Sequence, residues 1–517
     1  MTVPDGDPMT GVDNAWRRLG TADNLTTITG VLSFDSAISY EEFCERLEER
    51  LLRFERFRQR PQGRGRQLRN PYWESVADFD VETHVTEVAL PEPGDTATFQ
   101  RFVSDLMSRP LDERRPLWEA FLVEDAGEGD GNAAVFRINH SVGDGFALLS
   151  VLLGLADDPD AIELPMGVVP EPPSPDEFRE EPIRADGSAL EGADPAAESD
   201  ESGADGADQE GERSDPTEGA EPPADRAATY GPDAGAITSE ESPVAEGDAV
   251  EDDSGLSLSG GSPLAALSLA AKGVTTAWNL LTMEDEVETS LRGDIGTAKR
   301  AGWTGALDLE EVKAIADAYD ATLNDVLLAV LAGAFRRLLA DRGEDVDAVG
   351  ELRVSVPVNL KPMSERDESL GNYFGLAFVP LPVGTDDLAE RIAIINDRMD
   401  EQKAGIEAYL MYLTLRFGGA SPDPVFGWLL EQFEDQATGV VTNVPGPTES
   451  FEFGGHEVTD LMFWVPQAHD QGIGVSIFSY DGDVRLGIAG DANLLPEPDR
   501  LADAFEGEVE RLFAAVE

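Results

Sequence analysis

His140, Asp144 and Gly145 stand in the stretch AAVFRINHSVGDGFALL, residues 133–149, where a histidine is followed four residues later by Asp-Gly. The chain holds four histidines, His84, His140, His456 and His469, so the placement of each is informative. An imidazole titrates near neutral pH. Held at the rim of a sheet, it can take a proton from a hydroxyl, worth about 10²- to 10⁴-fold in rate when the geometry is right. Asp144 can cap a following helix and hold a neighbouring cation, and Gly145 permits a tight backbone entry. The pattern alone leaves two readings open: a general base, or a satisfied histidine beside an ordinary Asp-Gly turn.

The segments on either side must position these groups. AAVFRIN reads as a strand and GFALLSVLLGLA as a buried helix, so the motif is a strand-to-helix crossover. Upstream, NLTTITGVLSFD alternates like a strand, and SYEEFCERLEERLLRFERF has helical spacing with Ser39 as N-cap. FQRFVSDLMSRPLD reads as a helix and LWEAFLVED as a strand. In the second half, SPLAALSLAAKGVTTAWNLL reads as an amphipathic helix opened by Ser262 and Pro263, and two helices flank DATLND. LRVSVPVNL, FGLAFVPLPV, GVVTNVP, GVSIFSYDG and VRLGIAGD read as strands before a closing amphipathic helix, DRLADAFEGEVERLFAAV. The fold class expected is α/β in both halves, with lobes over 11–165 and 263–517.

Between them, 166–262 is expected to be an acidic disordered linker. From Pro170 to Asp253 there are 27 acids against four bases and almost no aromatic or β-branched residues, too little apolar surface to offset chain entropy. That stretch carries −23 of the formal net charge of −65, leaving −42 on the rest. Such charge repels nucleic acid phosphates, so a nucleic-acid partner is not expected. Five lysines stand beside 33 arginines and the acids are spread over the chain, a pattern suited to a halophilic cytosol. At about 1 M salt the Debye length is roughly 3 Å, so self-repulsion is screened. The lone Cys44 excludes an internal disulfide and a cysteine-based zinc site, and reads as a small core residue. The apolar runs are half the length of a spanning helix and no apolar leader follows Met1, so a cytoplasmic location is expected, peripheral to a membrane at most.

Several stretches together resemble the wax ester synthase/acyl-CoA:diacylglycerol acyltransferase family, within the chloramphenicol-acetyltransferase-like acyltransferases. They are NHSVGDG at 139–145 beside the family's His-His-x-x-x-Asp-Gly, and PLW at Pro116, Leu117 and Trp118. WESVADFDVETHVTEVALPEPGD precedes them; Asn324 and Asp325 follow in TLNDVLLAVLAGAFRRLL, then Pro357, Val358, Gly371 and Asn372. Asn443 opens an Asn-Val-Pro-Gly-Pro run, and SYDGDVRLGIAGD with DRLADAF resembles the closing strands and helix. The chain departs from the family at Asn139, in place of the first histidine, and at NLTTITGVL, in place of a Met-His.

The resemblance implies two chloramphenicol-acetyltransferase-like lobes with a tunnel between them that meets His140. It implies an O-acyltransferase moving a fatty acyl group from acyl-CoA, a substrate rather than a cofactor, to diacylglycerol or a long-chain alcohol, as in triacylglycerol or wax ester synthesis. His140 would be the general base and Asp144 mainly structural. Gly145 would shape the turn, the amide of Asn139 can hold the loop, and Asn324, with Asp325 beside it in the motif, would line or brace the site. Pro116, Leu117, Trp118 and Asn443 would contact substrate. The amphipathic pattern of the helix that begins at Pro263 leaves two readings open, membrane or lipid-droplet contact and packing against the second lobe, and packing is the favoured one. Another acceptor or a carrier-bound acyl group remains an alternative, as does a non-catalytic binding protein on this fold.

The other candidates have plain readings beside the functional ones. His84 reads as structural and His456 as an exposed hairpin residue, while His469 and Asp470 read more plainly as ordinary loop residues than as a pair near the cleft. No two histidines have metal-binding spacing, so no metal site is expected. Arg292, Lys299 and Arg300 are candidates for coenzyme A phosphates, against the plainer reading of a solvated surface.

Overall fold

The computed structural model describes residues 6–63, 71–126, 131–162, 164, 237–238, 283, 285–360, 370–402, 406–431 and 436–516. Most of 166–262, and the helix expected from Pro263, lie outside them. The principal elements of the first part are α1 (Gly11–Leu19), β1 (Thr27–Phe34), α2 (Tyr40–Arg50), β2 (Val85–Ala89), α3 (Thr96–Met107), β3 (Trp118–Glu124), β4 (Ala133–Asn139) and α4 (Gly145–Leu153). The second part supplies β5 (Lys299–Trp303), α5 (Leu309–Ala318), α6 (Leu323–Asp341), β6 (Leu352–Asn359), β7 (Phe374–Leu381) and α7 (Leu388–Gln402). It continues with α8 (Ile406–Ala420), α9 (Asp423–Glu431), β8 (Gly439–Pro445), β9 (His456–Trp464), β10 (Ile473–Tyr480), β11 (Asp483–Asp491) and α10 (Asp499–Val516).

Two sheets carry these elements. One is six-stranded, in the order Glu452–Phe453, β9, β1, β4, β3, β2. The other is eight-stranded along the path Leu307–Asp308, β11, β10, β8, β6, β7, with β5 on β11 and Ile237–Thr238 on β6. Neither lobe is contiguous in sequence. β9, from the second half, pairs antiparallel with β1 of the first, and α1, from the first half, packs on α8 of the second. The α1–α8 contact is a close approach of backbones: a Cβ on Gly419 would lie 1.7 Å from the Gly11 carbonyl oxygen, so a side chain there is excluded. Asn14 Nδ2 donates to the Gly419 carbonyl at 2.6 Å, and Arg18 donates to the carbonyls of Gly418, Gly419 and Ser421.

Local chemistry sets the helix starts. Ser39 caps α2 in a reciprocal box with Glu42, Thr322 caps α6 in a box with Asp325, and Asp144 Oδ1 accepts from the Ala147 N–H to start α4. α4 is apolar on every side because it is covered on every side: seven of its nine residues are buried. Among the helices not read from the sequence, α1 is short, with Val12, Ala15, Trp16 and Leu19 forming its buried stripe, and α8 is apolar toward both the core and solvent.

The acidic surface has a testable consequence. If self-repulsion dominates in dilute buffer, the thermal unfolding midpoint should rise by roughly 10 °C or more between 0.1 and 2 M KCl. A midpoint that does not change with salt, followed by circular dichroism, would remove the salt-adaptation reading.

Candidate active site

His140 closes β4 and is held at three places. Its backbone N–H donates to Thr26 O at 2.8 Å, its ring stacks on Trp16 with centroids 4.1 Å apart and planes 16° apart, and Phe374 covers it at 5.4 Å. Nδ1 lies 2.8 Å from Asn372 Oδ1. Asn372 comes from the turn before β7, 232 residues away, and its own orientation is fixed. Asn372 Nδ2 donates to the His140 carbonyl at 2.9 Å and to Asp13 Oδ1 at 2.8 Å, and its backbone N–H also reaches Asp13 Oδ1, at 3.2 Å. Because both acceptors demand the amide nitrogen, the amide oxygen faces the imidazole. Nδ1 therefore carries the proton, and Nε2 keeps its lone pair.

Burial pushes the His140 imidazole below its ordinary pKa, opposed by the charge of Asp144 and the bond to Asn372. The ring is therefore neutral at neutral pH, the form that accepts a proton. Burial also pushes the Asp13 carboxyl up, opposed by its bonds to Asn372 and Thr10 and by the charge of Arg56.

The other motif residues shape the loop. Asp144 uses both oxygens, Oδ1 on the Ala147 N–H at 2.9 Å and Oδ2 on the Tyr373 N–H at 3.0 Å, so one carboxylate ties the start of α4 to the start of β7. Asn139 Oδ1 accepts from the Ser141 N–H at 3.0 Å and the Ser141 hydroxyl at 2.6 Å, while Nδ2 reaches Thr26 Oγ1 at 3.3 Å. The amide in place of a first histidine thus braces the turn from both sides.

His140 opens onto a largely apolar cavity walled by both lobes. Trp16, Ile28, Asp144, Gly145 and Phe146 line the first side. Ser355, Pro357 and Asn359 of β6 and Val440, Thr442 and Val444 of β8 line the second, each set being alternate residues of one strand face. The same alternation turns Asn443 away. It donates to Asn324 Oδ1 at 3.2 Å, and neither residue lines the cavity. Asp325 completes the α6 capping box and accepts from Asn396 Nδ2 at 3.1 Å. Leu117 and Trp118 sit in the core of the first lobe, Trp118 Nε1 donating to Phe57 O at 2.8 Å, and Pro116 is buried beside them. These placements give substrate contact no support at Pro116, Leu117, Trp118 or Asn443.

His84 stacks on Trp118 at 4.9 Å and is pushed down to about 4 by burial and then by the charge of Arg115, in keeping with a structural place. His456 opens a hairpin strand and shares a 2.8 Å hydrogen bond with Ser36. His469 lies in a loop whose neighbours Ala468 and Gln471 line the cavity, its Nδ1 3.7 Å from Asp470. Lys299 is not part of a solvated surface: it is buried in an ion pair with Asp491 at 2.8 Å, so it is unavailable to a phosphate. Arg300 donates to the Lys299 carbonyl, and Arg292 to the Glu286 carbonyl with Asp470 at 3.8 Å. Among the described residues no three His, Cys, Asp or Glu side chains gather as a metal site would need.

Sequence reasoning missed Asp13 and Trp16, which lie three apart on one face of α1, and it quoted Asn372 only as a turn residue. The spacing of the first pair was legible, but what they face was not.

Compared with known families, residues 9–200 match the wax ester synthase/diacylglycerol acyltransferase catalytic domain and residues 370–512 match the WS/DGAT C-terminal domain. The chain belongs to the WS/DGAT family. It is an acyltransferase of the wax ester synthase/diacylglycerol acyltransferase type. Among WS/DGAT relatives, a probable diacylglycerol O-acyltransferase of Mycobacterium tuberculosis, tgs1, is 27% identical over 480 residues, covering 92% of this chain and 88% of the relative. A second from that organism, Rv1760, is 25% identical over 521 residues, covering 98% and 89%. In fold, the chain matches the WS/DGAT structure from Marinobacter aquaeolei VT8 with a TM-score of 0.60 at 18% identity, covering 98% of each chain. The first condensation domain of the calcium-dependent antibiotic synthetase shares the fold, with a TM-score of 0.55 at 13% identity over 99% and 96%.

Proposed function

We propose that this WS/DGAT protein transfers a fatty acyl group from acyl-CoA to diacylglycerol or a long-chain alcohol, with His140 as general base. The observation that carries this reading is the fixed tautomer: a buried neutral imidazole facing an apolar cavity, Nδ1 tied to Asn372 and Nε2 left to accept. The alcohol O–H gives its proton to Nε2 as its oxygen attacks the thioester carbonyl carbon. The tetrahedral adduct collapses, the C–S bond breaks, and the thiolate takes the proton from the imidazolium. Ester and free thiol leave without a covalent acyl-enzyme. The names of the mycobacterial relatives favour diacylglycerol among the acceptors.

We place the reaction in the cytoplasm, against a lipid surface. No helix among the described residues is long and apolar enough to cross a membrane. However, Phe417 of α8 is 64% exposed and Trp428 of α9 is 53% exposed, and Tyr409 of α8 and Val425 of α9 are exposed as well. These helices pack, through Leu415 and Phe426, on the cluster that holds Trp16 and Phe374, two walls of the cavity. Aromatic side chains on such a face suit the interface of a bilayer.

The test is thiol release from palmitoyl-CoA in molar KCl with diacylglycerol or hexadecanol. Release should depend on acceptor, and the faster acceptor names the activity. With diacylglycerol in vesicles, the double variant Phe417→Ser and Trp428→Ser should be severalfold slower, while detergent-dispersed acceptor should react as before. Release that ignores every alcohol would sink the reading, and equal rates in vesicles would remove the lipid-facing patch.

A further inference from the structure

The indole of Trp16 carries a hydrogen-bond donor that the fold leaves unused. Trp16 is 5% exposed, yet its Nε1–H has no partner among the described residues. Other buried indoles are satisfied: Trp118 donates to the Phe57 carbonyl at 2.8 Å and Trp464 to the Gly302 carbonyl at 3.0 Å. Trp73 Nε1 is unpaired too, but Trp73 lies against the Arg56 guanidinium and lines no part of the cavity. Of the buried side-chain nitrogens and oxygens left without a partner among the described residues, only Trp16 Nε1 belongs to a residue that walls the His140 cavity. A buried donor left empty costs stability, and a ligand atom that accepts from it recovers the cost.

That donor is held against the base. Thr26 ties the two residues together: its hydroxyl donates to the Trp16 carbonyl at 3.0 Å, and its carbonyl accepts from the His140 N–H at 2.8 Å. The indole and imidazole stack with centroids 4.1 Å apart and planes 16° apart, and Phe374 packs on both, at 5.5 and 5.4 Å. An oxygen bonded in the plane of the imidazole and another bonded in the plane of the indole are thus one ring spacing apart, near the ~3–3.5 Å of a near-attack pair. Other polar groups around the cavity are engaged: Asp144 by two backbone N–H groups, and Ser355 by the Gly439 carbonyl and Gln471 Nε2.

We propose that the Trp16 Nε1–H is a catalytic donor that stabilises the oxyanion of the tetrahedral adduct. The proposal rests on the acyl-transfer reading and adds a second group to its chemistry. As the alcohol oxygen attacks and its proton passes to His140 Nε2, the carbonyl π pair moves onto the thioester's carbonyl oxygen, which accepts a hydrogen bond from the indole. No proton leaves Trp16. When the C=O bond re-forms the C–S bond breaks, and the thiolate takes the proton from the imidazolium. A donor already in place within a buried site strengthens its bond as charge grows on that oxygen, so it acts on kcat more than on KM. The indole face also lies on the imidazole, where it favours the imidazolium without any hydrogen bond.

Replacing Trp16 with 3-benzothienylalanine exchanges the N–H for sulfur and keeps the stacked ring, so it separates donation from stacking. With palmitoyl-CoA and hexadecanol, kcat should fall by about 10²-fold, KM should stay within about threefold, and the acid limb of the pH profile should not move. Trp16→Phe should lose at least as much. The unfolding midpoint of the benzothienyl protein should not fall, since the free protein loses no hydrogen bond. A benzothienyl enzyme with kcat within about threefold of wild type, a lowered midpoint, or a loss that follows Thr442→Val and spares the benzothienyl enzyme would overturn the assignment. Magnetic resonance of the indole N–H groups, with nitrogen-labelled tryptophan, separates this from the reaction itself. A palmitoyl-CoA analogue with methylene in place of the thioester sulfur should move one of the seven indole signals downfield, the one missing from Trp16→Phe. S-hexadecyl-CoA, which lacks the carbonyl, should not move it. That shift is expected even if no alcohol is acylated and the acyl-transfer reading has failed. A Trp16 signal that ignores the carbonyl would remove the donor whatever the kinetics.

Discussion

His140→Ala is expected to lower kcat/KM for acyl transfer by about 10³-fold or more while leaving a folded protein. General-base catalysis accounts for about 10²- to 10⁴-fold, and His140 places the one neutral imidazole of the catalytic loop against the cavity. The substitution also leaves Asn372 Oδ1 without its donor, at about 1–3 kcal/mol of stability, so folding is checked by circular dichroism beside the rate. The pH profile carries the sharper test. Burial lowers the pKa of His140 from 6.5, and the neutral form is the active one, so activity is lost as pH falls through the lowered value. The acid limb of kcat/KM should therefore be centred below pH 6.5. An acid limb centred above 6.5 would mean that the ring in solution is not the buried, neutral group described here.

The second large effect belongs to Asn372 and Asp13, positioning residues that act through His140. Asn372→Ala removes the acceptor that holds the proton on Nδ1, and kcat should fall by about 10²-fold or more, with a smaller change in KM. Asp13→Asn is nearly isosteric, yet it replaces an acceptor with a group that can also donate. The Asn372 amide is then free to reverse, offering N–H to Nδ1 and moving the imidazole proton to Nε2, where it blocks the base. A comparable loss is expected with unchanged stability to within about 1 kcal/mol. Asn372→Asp keeps an acceptor at Nδ1 but adds negative charge beside the ring, which favours the imidazolium. Its acid limb should move to higher pH than that of wild type. If Asn372→Asp and Asp13→Asn only lower the rate equally at every pH, the pair braces the lobes and does not set the tautomer.

These expectations could not have been written from the chain alone. The strand AAVFRIN, the Asp144 cap and the buried helix after it were legible, because periodicity and capping are local and their partners lie within four residues. So were the strands β6, β8, β10 and β11 and the helix α6. The motif put His140 at the end of β4, and the order of motifs along the chain placed it in its family. The amide at Asn139 was read as able to hold the loop, and its bonds to Ser141 and Thr26 do so.

What the tertiary structure decided are matters of direction and long-range pairing. Asn443 and Thr442 are neighbours, and only the position of β8 within its sheet decides that Thr442 meets the cavity while Asn443 meets Asn324. Pro116, Leu117 and Trp118 look the same in sequence whether they face substrate or core, and burial puts them in the core. Lys299 reads as a free cation until its partner, Asp491, arrives from 192 residues away. The exchange of β9 and α1 between lobes follows from strand order, which no local pattern encodes, and it brings Trp16 and Asp13 to the histidine. The sequence by itself determined the reacting group and the elements beside it, since these depend on neighbours in the chain. The proton's place on that group was left to the fold, because it depends on an amide 232 residues away whose orientation a third element fixes.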